Sequence, residues 1–166
     1  MIRAAMMVLT LGLAACSNTS ERAAVSDDTF ADVGLFPNET PELRALINEY
    51  AEFHQIPSEL IHRVIQRESD YRPEARNGPY WGMMQILPQT AAQMGHDGPP
   101  SQLLDPEVTL RYAGKYLRGA WLVSGGDIDE AVMWYARGYY YEARDNCLLI
   151  ETGLLEREVA RHCREA

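Results

Sequence analysis

The sequence lacks the marks of several chemistries. It contains no basic run and carries a formal net charge of −9 at pH 7. Nucleic-acid surfaces gather Lys and Arg to neutralise phosphates, so no nucleic-acid partner is expected. No His-Glu-x-x-His or Cys-x-x-Cys spacing occurs. His54, His62, His96 and His162 likewise lack ligand spacing, so neither a metal nor a cofactor is expected. There is no Gly-x-Ser-x-Gly elbow and no phosphate-cradling glycine loop. A Cys–His peptidase would have to use Cys147 or Cys163, and neither sits in a local pattern that supports one. Internal repeats and a convincing strand series are also missing.

What remains is helical periodicity. The 166 residues are 46% hydrophobic, enough for one domain with a substantial core. Thr40 before Pro41 reads as an N-cap with proline in the first turn, followed by an apolar stripe of Leu43, Leu46, Ile47 and Tyr50. Pro57 restarts the chain for a second helix. Residues 76–82 read as a turn-rich loop that can hold a short extended piece. Pro88 opens a helix closed by Gly95, and residues 96–104 form a connection. Asp105-Pro106-Glu107 caps a helix whose Ala113, Tyr116, Leu117, Ala120 and Trp121 face inward, ending at Gly125-Gly126. Asp127-x-x-Glu130 resembles a capping box for a helix burying Ile128, Ala131, Val132 and Tyr135. A last helix is expected over roughly residues 153–164, with Leu155, Val159 and His162 on one side. The expected fold is a compact multi-helix domain over residues 41–166, mainly α, with little or no sheet.

The chain is organised around residues 61–75. Leu60, Ile61, Val64 and Ile65 form an apolar stripe at helical spacing, and the next position on it is Glu68. A carboxylate thus stands where the pattern calls for a core residue. Pro73 disfavours helical geometry at Arg72, which places Glu68 near a helix C-terminus. There the helix dipole opposes ionisation, and partial burial acts the same way. A carboxylic acid kept protonated at a core edge suits general-acid cleavage of a glycosidic bond. Periodicity alone favours the bland reading, a Glu that swings out at a frayed helix end, because a lone buried Glu is rare.

The residues that follow add a second pattern. Glu68-Ser69, Tyr71 and Pro73-x-Ala75 precede Gly82-Met83-Met84-Gln85-Ile86-x-Pro88-x-Thr90-Ala91. Together these resemble the soluble-type lytic transglycosylases, and more loosely the goose-type lysozymes, over roughly residues 42–140. The resemblance implies a lysozyme-like fold with the acid at the bottom of a substrate cleft. It implies peptidoglycan glycan strands as substrate and Glu68 as the acid that protonates the bond between N-acetylmuramic acid and N-acetylglucosamine. In that family the muramoyl 6-hydroxyl then attacks its own anomeric carbon, giving a 1,6-anhydro end, with the same Glu as base. The resemblance carries Ser69, Gly82, Met84, Gln85 and Tyr135 as substrate-binding or acid-orienting residues. The bland readings are a Ser69 hydroxyl bonding its own backbone, a surface amide at Gln85 and core packing for the methionines. A hydrolytic muramidase would need a second carboxylate, for which Asp97 and Glu142 stay open. A non-catalytic wall-binding protein is the remaining alternative.

Two stretches depart from the family. Its Ala-Tyr-Asn-Ala-Gly signature corresponds to Trp134-Tyr135-Ala136-Arg137-Gly138, so Ala136 holds the Asn position and Arg137 or Tyr139 is a candidate substitute. Pro79-Tyr80-Trp81 also replaces the usual Gly-Ala-x before Gly82.

At the N-terminus, Arg3 is followed by an apolar run over residues 4–13 that is too short to span a bilayer. Leu13-Ala14-Ala15-Cys16 then looks like the lipobox of bacterial lipoproteins. That reading makes residues 1–15 a signal peptide and Cys16 a lipidated anchor, with residues 17–40 as a flexible tether. It implies an outer-membrane lipoprotein facing the periplasm; ordinary secretion with cleavage near Ala15 is the alternative. Export permits a disulfide between the two remaining cysteines, Cys147 and Cys163, and two reduced thiols are the alternative.

Overall fold

The computed structural model describes residues 34–164. The expected signal peptide, Cys16 and most of the tether lie outside the described residues. None of the described helices is long and apolar enough to cross a membrane.

Helix α1 spans Pro41–His54 and α2 spans Ser58–Glu68. A two-stranded antiparallel hairpin follows, β1 Arg76–Asn77 and β2 Tyr80–Trp81. Next come α3 (Pro88–Gln93), a 3-10 turn (Pro100–Leu104), α4 (Pro106–Val123) and α5 (Ile128–Arg137). Helices α6 (Tyr140–Asp145) and α7 (Arg161–Arg164) end the described chain. The fold is mainly helical with one small sheet, as expected.

The caps are built as the sequence indicates. Thr40 Oγ1 accepts from the Leu43 N–H at 3.2 Å. Asp105 accepts from Glu107 and Val108, and Asp127 accepts from Glu130, each satisfying donors that a helix leaves unpaired. Helix α4 lies at the centre of the packing, against α1 on one side and α5 on the other. Its Leu110, Ala113, Leu117 and Ala120 are fully buried and meet Leu60, Ile61, Val64 and Ile65 of α2 in one core.

Three expectations change. Residues 34–40, assigned to the tether, are folded onto the domain. Phe36 stacks on Tyr71 with ring centroids 5.6 Å apart, and Glu39 is buried. Burial alone would raise the Glu39 pKa, but bonds from Arg44 and the Phe36 N–H, with His62 nearby, outweigh it and lower it. The second change is the missing long C-terminal helix: only Arg161–Arg164 is helical there. Gly153 is left-handed at φ +71°, Thr152 Oγ1 donates back to the Leu148 carbonyl, and Glu158 accepts from the Ile150 N–H at 3.0 Å. These local bonds hold turns in place of a helix, and His162 is exposed rather than on a buried face. Cys147 and Cys163, with Cα atoms 5.3 Å apart, are joined in a disulfide that ties this segment to the end of α6. Third, α6 forms where the sequence pattern announces no helix. Ala143 is its one buried residue, so it carries no long apolar stripe to read.

Candidate active site

Glu68 is the last residue of α2. The helix stops there because Asp70 and Tyr71 both adopt left-handed backbone, at φ +53° and +59°. The break therefore falls before Pro73 acts. Asp tolerates this conformation readily, whereas a Tyr needs outside support. Tyr71 has it: the side chain is 1% exposed, stacks on Phe36 and shares a 2.7 Å hydrogen bond with His62 Nδ1. Asp70 turns away and accepts from Asn38 Nδ2 at 3.0 Å.

The Glu68 side chain is 23% exposed, with Arg67 Nε 3.6 Å from its carboxylate. Burial raises its pKa above the usual carboxylate value, and the Arg67 charge offsets only part of that rise. The carboxylate thus neither swings fully into solvent nor lies sealed in the core.

The segment after β2 forms the site's floor. Trp81 and Ile86 exchange backbone hydrogen bonds at 3.0 Å, closing a tight turn between them. Gly82 and Gln85 take left-handed backbone at φ +73° and +49° to make it. A Cβ at position 82 would lie 2.1 Å from the Leu103 carbonyl oxygen and 2.6 Å from Thr109 Oγ1. Only glycine fits there. The turn drives Met83 and Met84 into the core, both fully buried. Met84, expected to contact substrate, contributes a backbone carbonyl instead: it accepts from the Tyr135 hydroxyl at 2.8 Å.

Gln85 is 8% exposed, so it is no surface amide. Its Nε2 donates to the carbonyls of Gly82 at 2.8 Å and Ala75 at 3.2 Å, locking the turn against the loop that follows Glu68. Ser69 is also buried, and its hydroxyl accepts from the Arg72 N–H. Its observed role is to shape the loop beside Glu68.

Tyr135, on α5, is held by burial as a neutral phenol, and the nearby Glu68 charge further disfavours the phenolate. It packs edge-on against Tyr116 of α4, with centroids 5.5 Å apart. Tyr116 in turn contacts Tyr139, whose hydroxyl donates to the Tyr116 carbonyl at 2.8 Å. Gly119 makes the room, since a Cβ there would lie 2.1 Å from that hydroxyl. Tyr139 is 1% exposed and so does not stand in for the missing Asn.

A groove of about 270 Å³ opens beside these residues. Gln85, Ile86, Leu87 and Thr90 line it together with Tyr116 of α4, Tyr135, Ala136, Arg137 and Gly138 at the end of α5, and Tyr80 of β2. Glu68 is not among the lining residues, but its charge acts on Tyr135, which is. Sequence reasoning missed Tyr80, Thr90 and Tyr116 as groove residues. Tyr116 shares the inward stripe of α4, and only the crossing of α4 with α5 distinguishes a core tyrosine from one that also walls a groove. Among the described residues, the lining includes no carboxylate. Asp97 is exposed, and Glu142 accepts from Asn146 on α6.

Among the described residues, Cys147, His162 and Cys163 are the one cluster with ligand-like proximity, within 4.8 Å of one another. The two sulfurs are bonded to each other, so the set does not offer two thiolates to a metal.

Comparison with known proteins agrees with this architecture. The peptidoglycan transglycosylase gp16 of Escherichia phage T7 is 33% identical over 98 residues, covering 56% of this chain. The chain spans only 7% of that phage protein's length. No solved structure matches. The family model for the transglycosylase SLT domain matches residues 45–146, more than half of the chain, and includes Glu68, the turn at Gly82 and the groove. The chain belongs to the transglycosylase SLT domain family.

Proposed function

We propose that this protein is a peptidoglycan lytic transglycosylase that cleaves the bond between N-acetylmuramic acid and N-acetylglucosamine and leaves 1,6-anhydro ends. The observation that carries this reading is a partly buried carboxyl of raised pKa at a helix end, whose charge reaches Tyr135 of a groove that, among the described residues, is lined by no carboxylate of its own. Family membership and the similarity to a phage peptidoglycan transglycosylase support the coarser activity.

In the first step the protonated Glu68 gives its proton to the glycosidic oxygen as the bond to the anomeric carbon breaks. The N-acetylglucosamine portion leaves as an alcohol. The muramoyl 6-hydroxyl oxygen then bonds to the anomeric carbon, and its proton returns to the Glu68 carboxylate. Intramolecular capture gains from proximity and needs no bound water, which fits one carboxyl serving as acid and then base. Hydrolysis with inversion or retention ordinarily needs a second carboxylate flanking the bond. Gln85 and Gly82 hold the floor, and Tyr135 joins that floor to α5.

Digestion of purified wall by the full chain, followed by mass analysis of the muropeptides, tests the reading. Anhydro ends from the wild type and none from Glu68→Gln are expected. Hydrated reducing ends would point to a muramidase, and no products from the wild type would leave a binding protein. The Leu13-Ala14-Ala15-Cys16 motif supports a further part of the proposal: lipid attachment at Cys16, placing the enzyme at the outer membrane facing the periplasm. Metabolic labelling with a radioactive fatty acid should mark the wild type and not Cys16→Ser.

A further inference from the structure

Among the described residues that line the groove, Arg137 is the only one with a charged side chain. It sits in the last turn of α5, just before Gly138 turns the chain at φ +83°. It is exposed, and its polar contact within the protein is a 3.7 Å approach of Nη1 to Met133 Sδ. No carboxylate pairs with it among the described residues, whereas Arg44, Arg63, Arg111 and Arg144 each have an acidic partner. An arginine at a helix C-terminus has a modest dipole benefit in any protein. That benefit does not explain why the lone cation of the groove belongs to a chain of net charge −9. Such a chain repels an anionic polymer at long range, so a local guanidinium is needed wherever a negative group must be held. The neighbouring Ala136 is short and exposed, and it offers the substrate no polar group of its own.

We propose that Arg137 is a specificity residue that binds a carboxylate carried by the muramoyl unit. This rests on the transglycosylase reading above. The guanidinium matches a carboxylate with paired donors, a geometry that the neutral hydroxyls and acetamides of the glycan backbone do not offer. Two sources of that carboxylate exist in the polymer. Strands bearing stem peptides present peptide carboxylates, while strands stripped of peptide present the free carboxylate of the 3-O-lactyl arm.

The test measures dissociation constants by calorimetry for the full chain carrying Glu68→Gln, which prevents turnover, with and without Arg137→Gln. The ligands are stem-bearing glycan fragments, peptide-stripped fragments and a neutral chito-oligosaccharide. Loss of a charge-assisted bond should weaken one or both anionic ligands by roughly tenfold to a hundredfold. The neutral ligand should change by less than about twofold, and Arg137→Lys should fall between the two, since it keeps charge without the planar fork. A loss confined to stem-bearing fragments assigns the peptide, and one confined to stripped fragments assigns the lactyl arm. Equal weakening of all three ligands, or no weakening of any, would overturn the proposal. Wall digestion by the wild type, run alongside, reports separately on whether the chain is an enzyme.

Discussion

Replacing Gly82 with alanine probes how the floor beside Glu68 is held. Two costs combine at this position. The left-handed backbone at φ +73° costs a residue with a Cβ roughly 1–2 kcal/mol. The new methyl would also stand 2.1 Å from the Leu103 carbonyl oxygen and 2.6 Å from Thr109 Oγ1. Neither atom is the loose end of a long side chain: Thr109 Oγ1 donates to that same Leu103 carbonyl, and Thr109 is fully buried. Relief therefore requires the hairpin to move away from the 3-10 turn, an overpacking cost of about 1–3 kcal/mol. The expected total is about 2–5 kcal/mol, with a fall in melting temperature of about 10 °C. Gly78→Ala is the control. It shares the left-handed backbone at φ +57°, but a Cβ there meets nothing within 4 Å, so only the conformational cost of roughly 1–2 kcal/mol applies. Urea unfolding followed by far-ultraviolet circular dichroism compares the two. Activity should fall further in Gly82→Ala than in Gly78→Ala, because the Gly82 carbonyl accepts from both the backbone and the side chain of Gln85. Equal destabilisation by the two substitutions would refute the steric argument.

Other consequences follow from the same contacts. Tyr135→Phe leaves the buried Met84 carbonyl without its partner and should cost about 1–3 kcal/mol; a change below about 0.5 kcal/mol in urea unfolding would mean that the bond is replaced by water. Replacing Cys147 and Cys163 together by serine opens a loop with a sequence separation of 16 and should lower stability by about 3 kcal/mol in the chain-entropy model, readable as the same loss on adding reductant to the wild type. With Glu68 as the proposed general acid, turnover should decline as pH rises through its elevated pKa, because the acid must carry its proton. The same elevation disfavours the folded state once Glu68 ionises: its contribution is fully present below the ordinary carboxylate value of the unfolded chain and is lost as pH rises through the folded value. Glu68→Gln should therefore be at least as stable as the wild type near neutral pH, with any advantage vanishing in acid, as thermal melts across pH can check.

Much of this arrangement was legible because it rests on local rules. Thr40, Asp105 and Asp127 announce helix starts through their own side chains, and Gly125-Gly126 announces an end. Glu68 could be singled out because it continues the stripe of Leu60, Ile61, Val64 and Ile65, a pattern confined to one helix. The illegible parts depend on contacts between distant segments. Nothing near Met84 in sequence indicates that its carbonyl serves Tyr135, 51 residues away. The folding of residues 34–40 onto the domain needs Tyr71 and His62 as a platform, and both come from beyond α1. The C-terminal segment misled because Leu155, Val159 and His162 have helical spacing. Side-chain bonds at Thr152 and Glu158 and the Cys147–Cys163 bridge favour turns there.

In the proposed reaction the 6-hydroxyl of the substrate, and not water, captures the anomeric carbon after Glu68 donates its proton. Digestion of wall glycan in water enriched in heavy oxygen, read by mass spectrometry of the muramoyl ends, tests it directly. Anhydro ends with no solvent oxygen are expected from the first turnover onward, and none from Glu68→Gln. Muramoyl ends that carry one heavy oxygen throughout the reaction would contradict it.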